Sequence, residues 1–74
     1  MNIIMDRIKT LRLVEGDSVN ISCRNGKTYE ACIVKNLPKS YDEHSIQVEV
    51  LDKKNENHFL NILLAEIKII RKIA

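Results

Sequence analysis

Apolar side chains recur along this chain with two periods. Ile4, Ile8 and Leu11 stand at i, i+4 and i+7, with Asp6, Arg7, Lys9 and Thr10 largely off that stripe, which predicts an amphipathic helix of about two turns within residues 1–12. Glu15-Gly16-Asp17 ends the helical period. Val19, Ile21 and Cys23 then alternate with Ser18, Asn20 and Ser22, the pattern of a half-buried strand.

Asn25-Gly26 signals a hairpin and permits two registers. A two-residue loop places Ile21 opposite Glu30. A three-residue loop, Arg24-Asn25-Gly26, places Ile21 opposite Tyr29 and Val19 opposite Ala31, and it is preferred because all the apolar side chains then share one face. In that register Cys23 points to the core and Cys32 away from it, which argues against a bond or a shared metal between them. Asn36 to Glu43 holds the only proline and predicts a longer loop. Ile46, Val48 and Val50 alternate in a third strand, residues 52–57 make a turn, and Phe59 to Leu63 form a fourth strand. After a tight corner near Leu64-Ala65-Glu66, Ile67 to Lys72 make a fifth. A short helix followed by five short strands predicts a mostly β, closed or nearly closed small barrel, with residues 1–74 as one domain and the barrel strands within 17–72.

A chain of 74 residues buries only roughly 60% of its unfolded surface. With no Trp, one Phe and two Tyr, its core must be aliphatic. The net charge of +2 lacks the strong basic bias of a dedicated nucleic-acid binder. Two cysteines are too few for a disulfide scaffold, and Asp6 and Arg7 interrupt the short apolar start, so reduced thiols in a cytoplasm are expected. No apolar run approaches the roughly 18 residues that cross a bilayer.

Tyr41-Asp42-Glu43-His44 gathers two carboxylates and an imidazole, a set that can ligate a metal or exchange protons. The only other histidine, His58, lies on a separate turn, so a solvated loop tip is the preferred reading, with no metal and no cofactor. Cys23 and Cys32 fall in strands with no histidine nearby, and the only glycines, Gly16 and Gly26, make no phosphate-cradling loop. No enzyme is expected.

The runs Glu15-Gly16-Asp17-Ser18-Val19-Asn20-Ile21 and Gly26-Lys27-Thr28-Tyr29-Glu30-Ala31-Cys32-Ile33 resemble a pattern shared by small barrels of the SH3-like and Sm-like type. Among these are Sm-like proteins, Tudor domains and the Rho-binding antiterminators (Rof-type proteins) of bacteria. A Tudor cage needs several aromatic rings, and only Tyr29 falls in the matching region. Where RNA-binding Sm-like rings carry an Arg-Gly-type or Tyr-Lys-His motif, this chain has Ile62-Leu63-Leu64-Ala65-Glu66. The length, the leading helix and a closing strand shaped like Leu64-Ala65-Glu66-Ile67-Lys68-Ile69-Ile70 resemble the Rof-type proteins. That resemblance implies a small five-stranded SH3-like/Sm-like barrel with a short N-terminal α-helix, acting as a non-enzymatic regulatory module on a protein of the transcription or RNA-handling machinery. Asn20, Glu30, Gln47 and Glu49 on the strands, with Asp42 and Glu43, are then the expected protein-binding residues.

The alternative is an Sm-like oligomeric binder of RNA or DNA. Arg7, Lys9, Arg12, Lys68, Arg71 and Lys72 would form its positive face if the helix packs beside the closing strand. With no aromatic platform, such binding would be weak, sequence-tolerant and salt-sensitive. A small structural subunit is the third reading. Leu63, Leu64, Ile67, Ile69 and Ile70 put aliphatic residues on both faces of the final strands, so the helix, a second subunit, or both must cover one side. The structural subunit would dock this aliphatic edge strand into a larger complex, and a homo-oligomer through the C-terminal strand is the other form such pairing takes.

Overall fold

The computed structural model describes residues 3–40, 42–51 and 57–73. A helix α1 (Ile3–Leu11) precedes five strands, β1 (Ser18–Cys23), β2 (Thr28–Asn36), β3 (Ser45–Leu51), β4 (Asn57–Leu63) and β5 (Ile67–Lys72). A single 3-10 turn, Leu64–Glu66, joins β4 to β5 at the expected corner. Tyr41 and most of the expected 52–57 turn lie outside the described residues.

The helix buries Ile4, Met5 and Ile8. It ends with Arg12 in the left-handed region (φ 53°), where the Arg12 N–H donates to the Lys9 carbonyl (3.1 Å) and the Leu13 N–H to the Ile8 carbonyl (3.3 Å). These two bonds satisfy carbonyls that a helix end otherwise leaves open, and buried Leu13 packs in the position that usually accompanies them. A turn follows in which the Asp17 N–H donates to the Val14 carbonyl (3.1 Å). Gly16 supplies the φ of 96° that this turn requires.

The β1–β2 hairpin uses the three-residue loop: the Cys23 N–H donates to the Lys27 carbonyl at 2.8 Å, Gly26 has φ 90°, and Ile21 lies opposite Tyr29. Beyond that pair the expected register is corrected, because Val19 faces Cys32 rather than Ala31. Ala31 is an extra residue with φ 53°, and its N–H donates to the Asn20 Oδ1 at 2.9 Å. A bulge of this kind reverses the alternation that follows it. Cys32, expected to point outward, is therefore 0% exposed in the core.

The order β4-β3-β2-β1-β5 is antiparallel throughout. Laid flat, its two edge strands would lie about 19 Å apart. The connection from Leu63 to Ile67 reaches at most about 14 Å even when fully extended. The sheet must therefore curl until its edges approach. Register shifts at Ala31 and Lys35 in β2 and at Lys68 in β5 supply the bends, since bulges kink and twist a strand. The Lys68 shift also lets Ile67 and Ile70, three residues apart, both face inward. The curl stops short of closure, because no ladder joins β4 to β5 among the described residues.

The core is aliphatic, with Val19, Ile21, Val34, Ile46, Val48 and Ile70 essentially without solvent contact. Helix α1 packs on β5 and on the 3-10 turn, and of the aliphatic excess at the C-terminal end only Leu64, Ile67 and Ile70 are buried. Phe59, Leu63 and Ile69 remain exposed.

The Ala31 bulge yields the first prediction. Replacing Ala31 with glycine removes a side chain from a left-handed position and should raise stability by about 1 kcal/mol. Asn20→Ala, which strips the bulge of its hydrogen-bond acceptor, should lower stability by about 1 kcal/mol. Urea unfolding of both variants measures the two effects, and equal midpoints for all three proteins would contradict them.

Candidate functional site

Strand pairing builds a carboxamide row across the outer face of the sheet. Gln47 on β3 stands opposite Asn36 on β2 and Asn61 on β4, and the Asn36 Nδ2 donates to the Gln47 Oε1. The loop entering β3 folds over one end of this row. The Lys39 N–H donates to a Glu43 carboxylate oxygen, and the His44 carbonyl accepts from the Leu64 N–H at 2.8 Å. The result is a polar cleft of about 410 Å3 lined by Asn36, Lys39, Glu43, His44, Gln47 and Asn61, among others.

Edge strand β4 flanks this cleft. Its outward-facing side chains are Asn61, Phe59 (62% exposed) and Leu63 (50% exposed), while Ile62 is buried. Phe59 pairs with Glu49 and Leu63 with Ser45, so two apolar side chains bracket the polar row. Beyond the open side of β4 no strand pairs among the described residues.

The structure divides the expected protein-binding residues. Glu43 and Gln47 line the cleft, Asp42 is exposed on its loop, and Glu49 continues the β3 face with Lys35 Nζ 3.6 Å from its carboxylate. That ion pair is partly exposed and contributes little. Asn20 and Glu30 instead line a separate depression of about 260 Å3 with Ser22, Thr28, Ile69 and Arg71. The Asn20 carboxamide is engaged by the Ala31 bulge.

The six expected cationic residues are also dispersed, although α1 does pack against β5 as anticipated. Arg71 belongs to the Glu30 depression. The Lys72 Nζ lies 3.5 Å from the Asp17 carboxylate. Lys9 and Arg12 line a groove beside Lys39, and Arg7 and Lys68 are exposed elsewhere on the surface.

Sequence reasoning missed Phe59 and named Leu63 only within the aliphatic excess of the final strands. A signal existed in the alternation Phe59-Leu60-Asn61-Ile62-Leu63, but which set faces out depends on the pairing with β3. It also missed Arg24, whose Nε donates to the Ala65 carbonyl at 3.2 Å and whose backbone N–H donates to the Glu66 carbonyl at 2.8 Å.

Among the described residues no charged side chain is buried. No group of three or more His, Cys, Asp and Glu is placed to hold a metal ion among them, and no helix is long and apolar enough to cross a membrane. Cys23 and Cys32 are both free and buried. The Cys32 Sγ–H donates to the Val19 carbonyl at 3.2 Å. Burial pushes both thiols above their ordinary value of 9.0, which opposes the reactive thiolate. No family model, curated protein or solved structure matches this chain.

The thiols generate a pH prediction. A group whose pKa is higher in the folded than in the unfolded state stabilises the fold below its unfolded pKa, and that contribution is lost as the pH rises. Stability should therefore decline as the pH climbs past the ordinary thiol value of 9.0. Cys32→Ala should cost about 1 kcal/mol at neutral pH and should flatten the alkaline decline. Urea unfolding across a pH series measures both, and an alkaline limb identical in the two proteins would refute the assignment.

Proposed function

We propose that this protein is a non-enzymatic binding module that takes a protein partner on the outer face and free edge of β4. The observation that carries this reading is the placement of the chain's only phenylalanine. In a 74-residue chain without tryptophan, the largest apolar side chain would ordinarily fill the core, yet Phe59 is 62% exposed. Beside Leu63 and the cleft amides, it has the composition of an interface anchor with a polar surround. The unpaired edge offers backbone groups to an added strand. Gln47 and Glu49, with Asp42 and Glu43, border this surface, whereas Asn20 and Glu30 lie apart from it.

The SH3-like or Sm-like barrel is the fold type this reading adopts. The resemblance of the leading helix and of Leu64-Ala65-Glu66-Ile67-Lys68-Ile69-Ile70 to Rof-type proteins supports a partner in the transcription or RNA-handling machinery. The contact of α1 with β5 is what favours a second reading, an Sm-like nucleic-acid binder or oligomer, although Arg71, Lys72 and the Lys9 and Arg12 pair lie on separate surfaces. That reading requires affinity that falls steeply with salt.

The test is affinity capture with immobilised wild-type protein and a Phe59→Ser/Leu63→Ser variant, scored by mass spectrometry. Anchors of this kind cost about 2 kcal/mol or more when removed, so the variant should lose the transcription or RNA-handling proteins held by the wild type. Its thermal midpoint should be unchanged, because both side chains are solvent-exposed. Equal retention by the two proteins refutes the proposal.

A further inference from the structure

A second surface, which meets the polar cleft at Leu37 and Lys39, lies where the end of α1 meets the loop after β2. Here a groove of about 530 Å3 has an aliphatic floor of Ile8, Leu13, Val14, Leu37 and Pro38. Its charged residues are Lys9, Arg12 and Lys39 against a single acid, Glu15. Val14 is 60% exposed and Leu37 partly so, while Ile8, Leu13 and Pro38 are buried, so Val14 and Leu37 are the part of the floor open to a ligand.

Arg12 is the telling residue. It occupies the left-handed position that ends the helix (φ 53°), where glycine fits without strain and a side chain does not. Strain at a surface residue gains a rationale when the side chain is used, and this one places a guanidinium beside an apolar floor. The Ile8 and Lys9 carbonyls accept the N–H groups of Leu13 and Arg12, which blunts the negative end of the helix, and the side-chain cations must outweigh what remains of it.

We propose that this groove binds an acidic peptide segment of a partner protein, with carboxylates met by Arg12 and Lys39 and with aliphatic side chains laid on Val14 and Leu37. Arg12 and Lys39, set against Glu15 among the groove's charged residues, select the sign of the ligand. The guanidinium fork matches a carboxylate in two parallel hydrogen bonds. The floor separates a peptide from a nucleic acid: it offers no aromatic ring on which a base can stack, and its accessible aliphatic side chains, Val14 and Leu37, suit Leu or Ile side chains.

The experiment is fluorescence anisotropy of a fluorescein-labelled peptide in which Glu and Leu alternate, titrated with the whole chain. Control peptides carry Lys in place of Glu or Ser in place of Leu, and a labelled single-stranded oligonucleotide tests the other ligand class. The Glu/Leu peptide should bind, and both control peptides should bind about tenfold more weakly or worse. Arg12→Gly and Lys39→Ser should each weaken binding by about tenfold, while Arg12→Gly melts no lower than the wild type. Glu15→Lys, which removes the only acid, should tighten binding, a gain that misfolding does not produce. The proposal is overturned by absent binding, by binding that ignores Arg12→Gly and Lys39→Ser, or by a Ser control that binds equally well. Tighter capture of the oligonucleotide through the same residues overturns it as well. Loss of groove binding with intact capture at Phe59 and Leu63 would sink this inference alone, and the reverse result would sink only the β4 reading.

Discussion

The short connection between the two edge strands governs this structure. Three residues, Leu64–Glu66, carry the chain from β4 at one edge of the sheet to β5 at the other, a span that no flat five-stranded sheet allows. The turn is held from both sides. The Leu64 N–H is bound by the His44 carbonyl, while Arg24 reaches the Ala65 and Glu66 carbonyls from the β1–β2 loop. Curling the sheet around so short a tether demands local bends, and the register shifts at Ala31, Lys35 and Lys68 are where the strands yield.

The same constraint shapes the surfaces. A small curled sheet encloses little volume, and aliphatic side chains from every strand, with Ile4, Met5 and Ile8 of the helix, fill it. Phe59 stays outside on an edge strand. The curl leaves the loop before β3 folded against the Asn36, Gln47 and Asn61 row, which makes the polar cleft. It sets that cleft apart from the Glu30 and Arg71 depression, while the cationic groove beside Arg12 adjoins the cleft through Leu37 and Lys39. The charged residues therefore act as several small surfaces.

Much of the fold was legible because its signals are local. The two apolar periods located every element, Gly26 fixed the hairpin loop, and Ile67 to Lys72 emerged with its limits intact. The face of Cys32 was not legible, because the bulge that reverses it rests on Ala31, an unremarkable residue in a conformation usually left to glycine. The spacing of Ile67 and Ile70 did hold a clue to the Lys68 bulge, since three residues is the wrong period for one face of a regular strand. The candidate site was less legible than the fold. Grouping Asn20 and Glu30 with Gln47 and Glu49 treated the outer surface as a single plane, and only the curl shows that Asn20 and Glu30 belong to one depression and Gln47 to another. The exposure of Phe59 depends on the β3–β4 register, which no local pattern specifies.

The measurement that bears most directly on the binding-module account is the absolute mass of the purified protein by size exclusion with light scattering, with and without a mixed pool of short RNA. The account predicts the mass of one or two chains, unchanged by the RNA. A larger ring that grows heavier when RNA is added would contradict it, and would make β4 and β5 the contacts between subunits of a nucleic-acid binder.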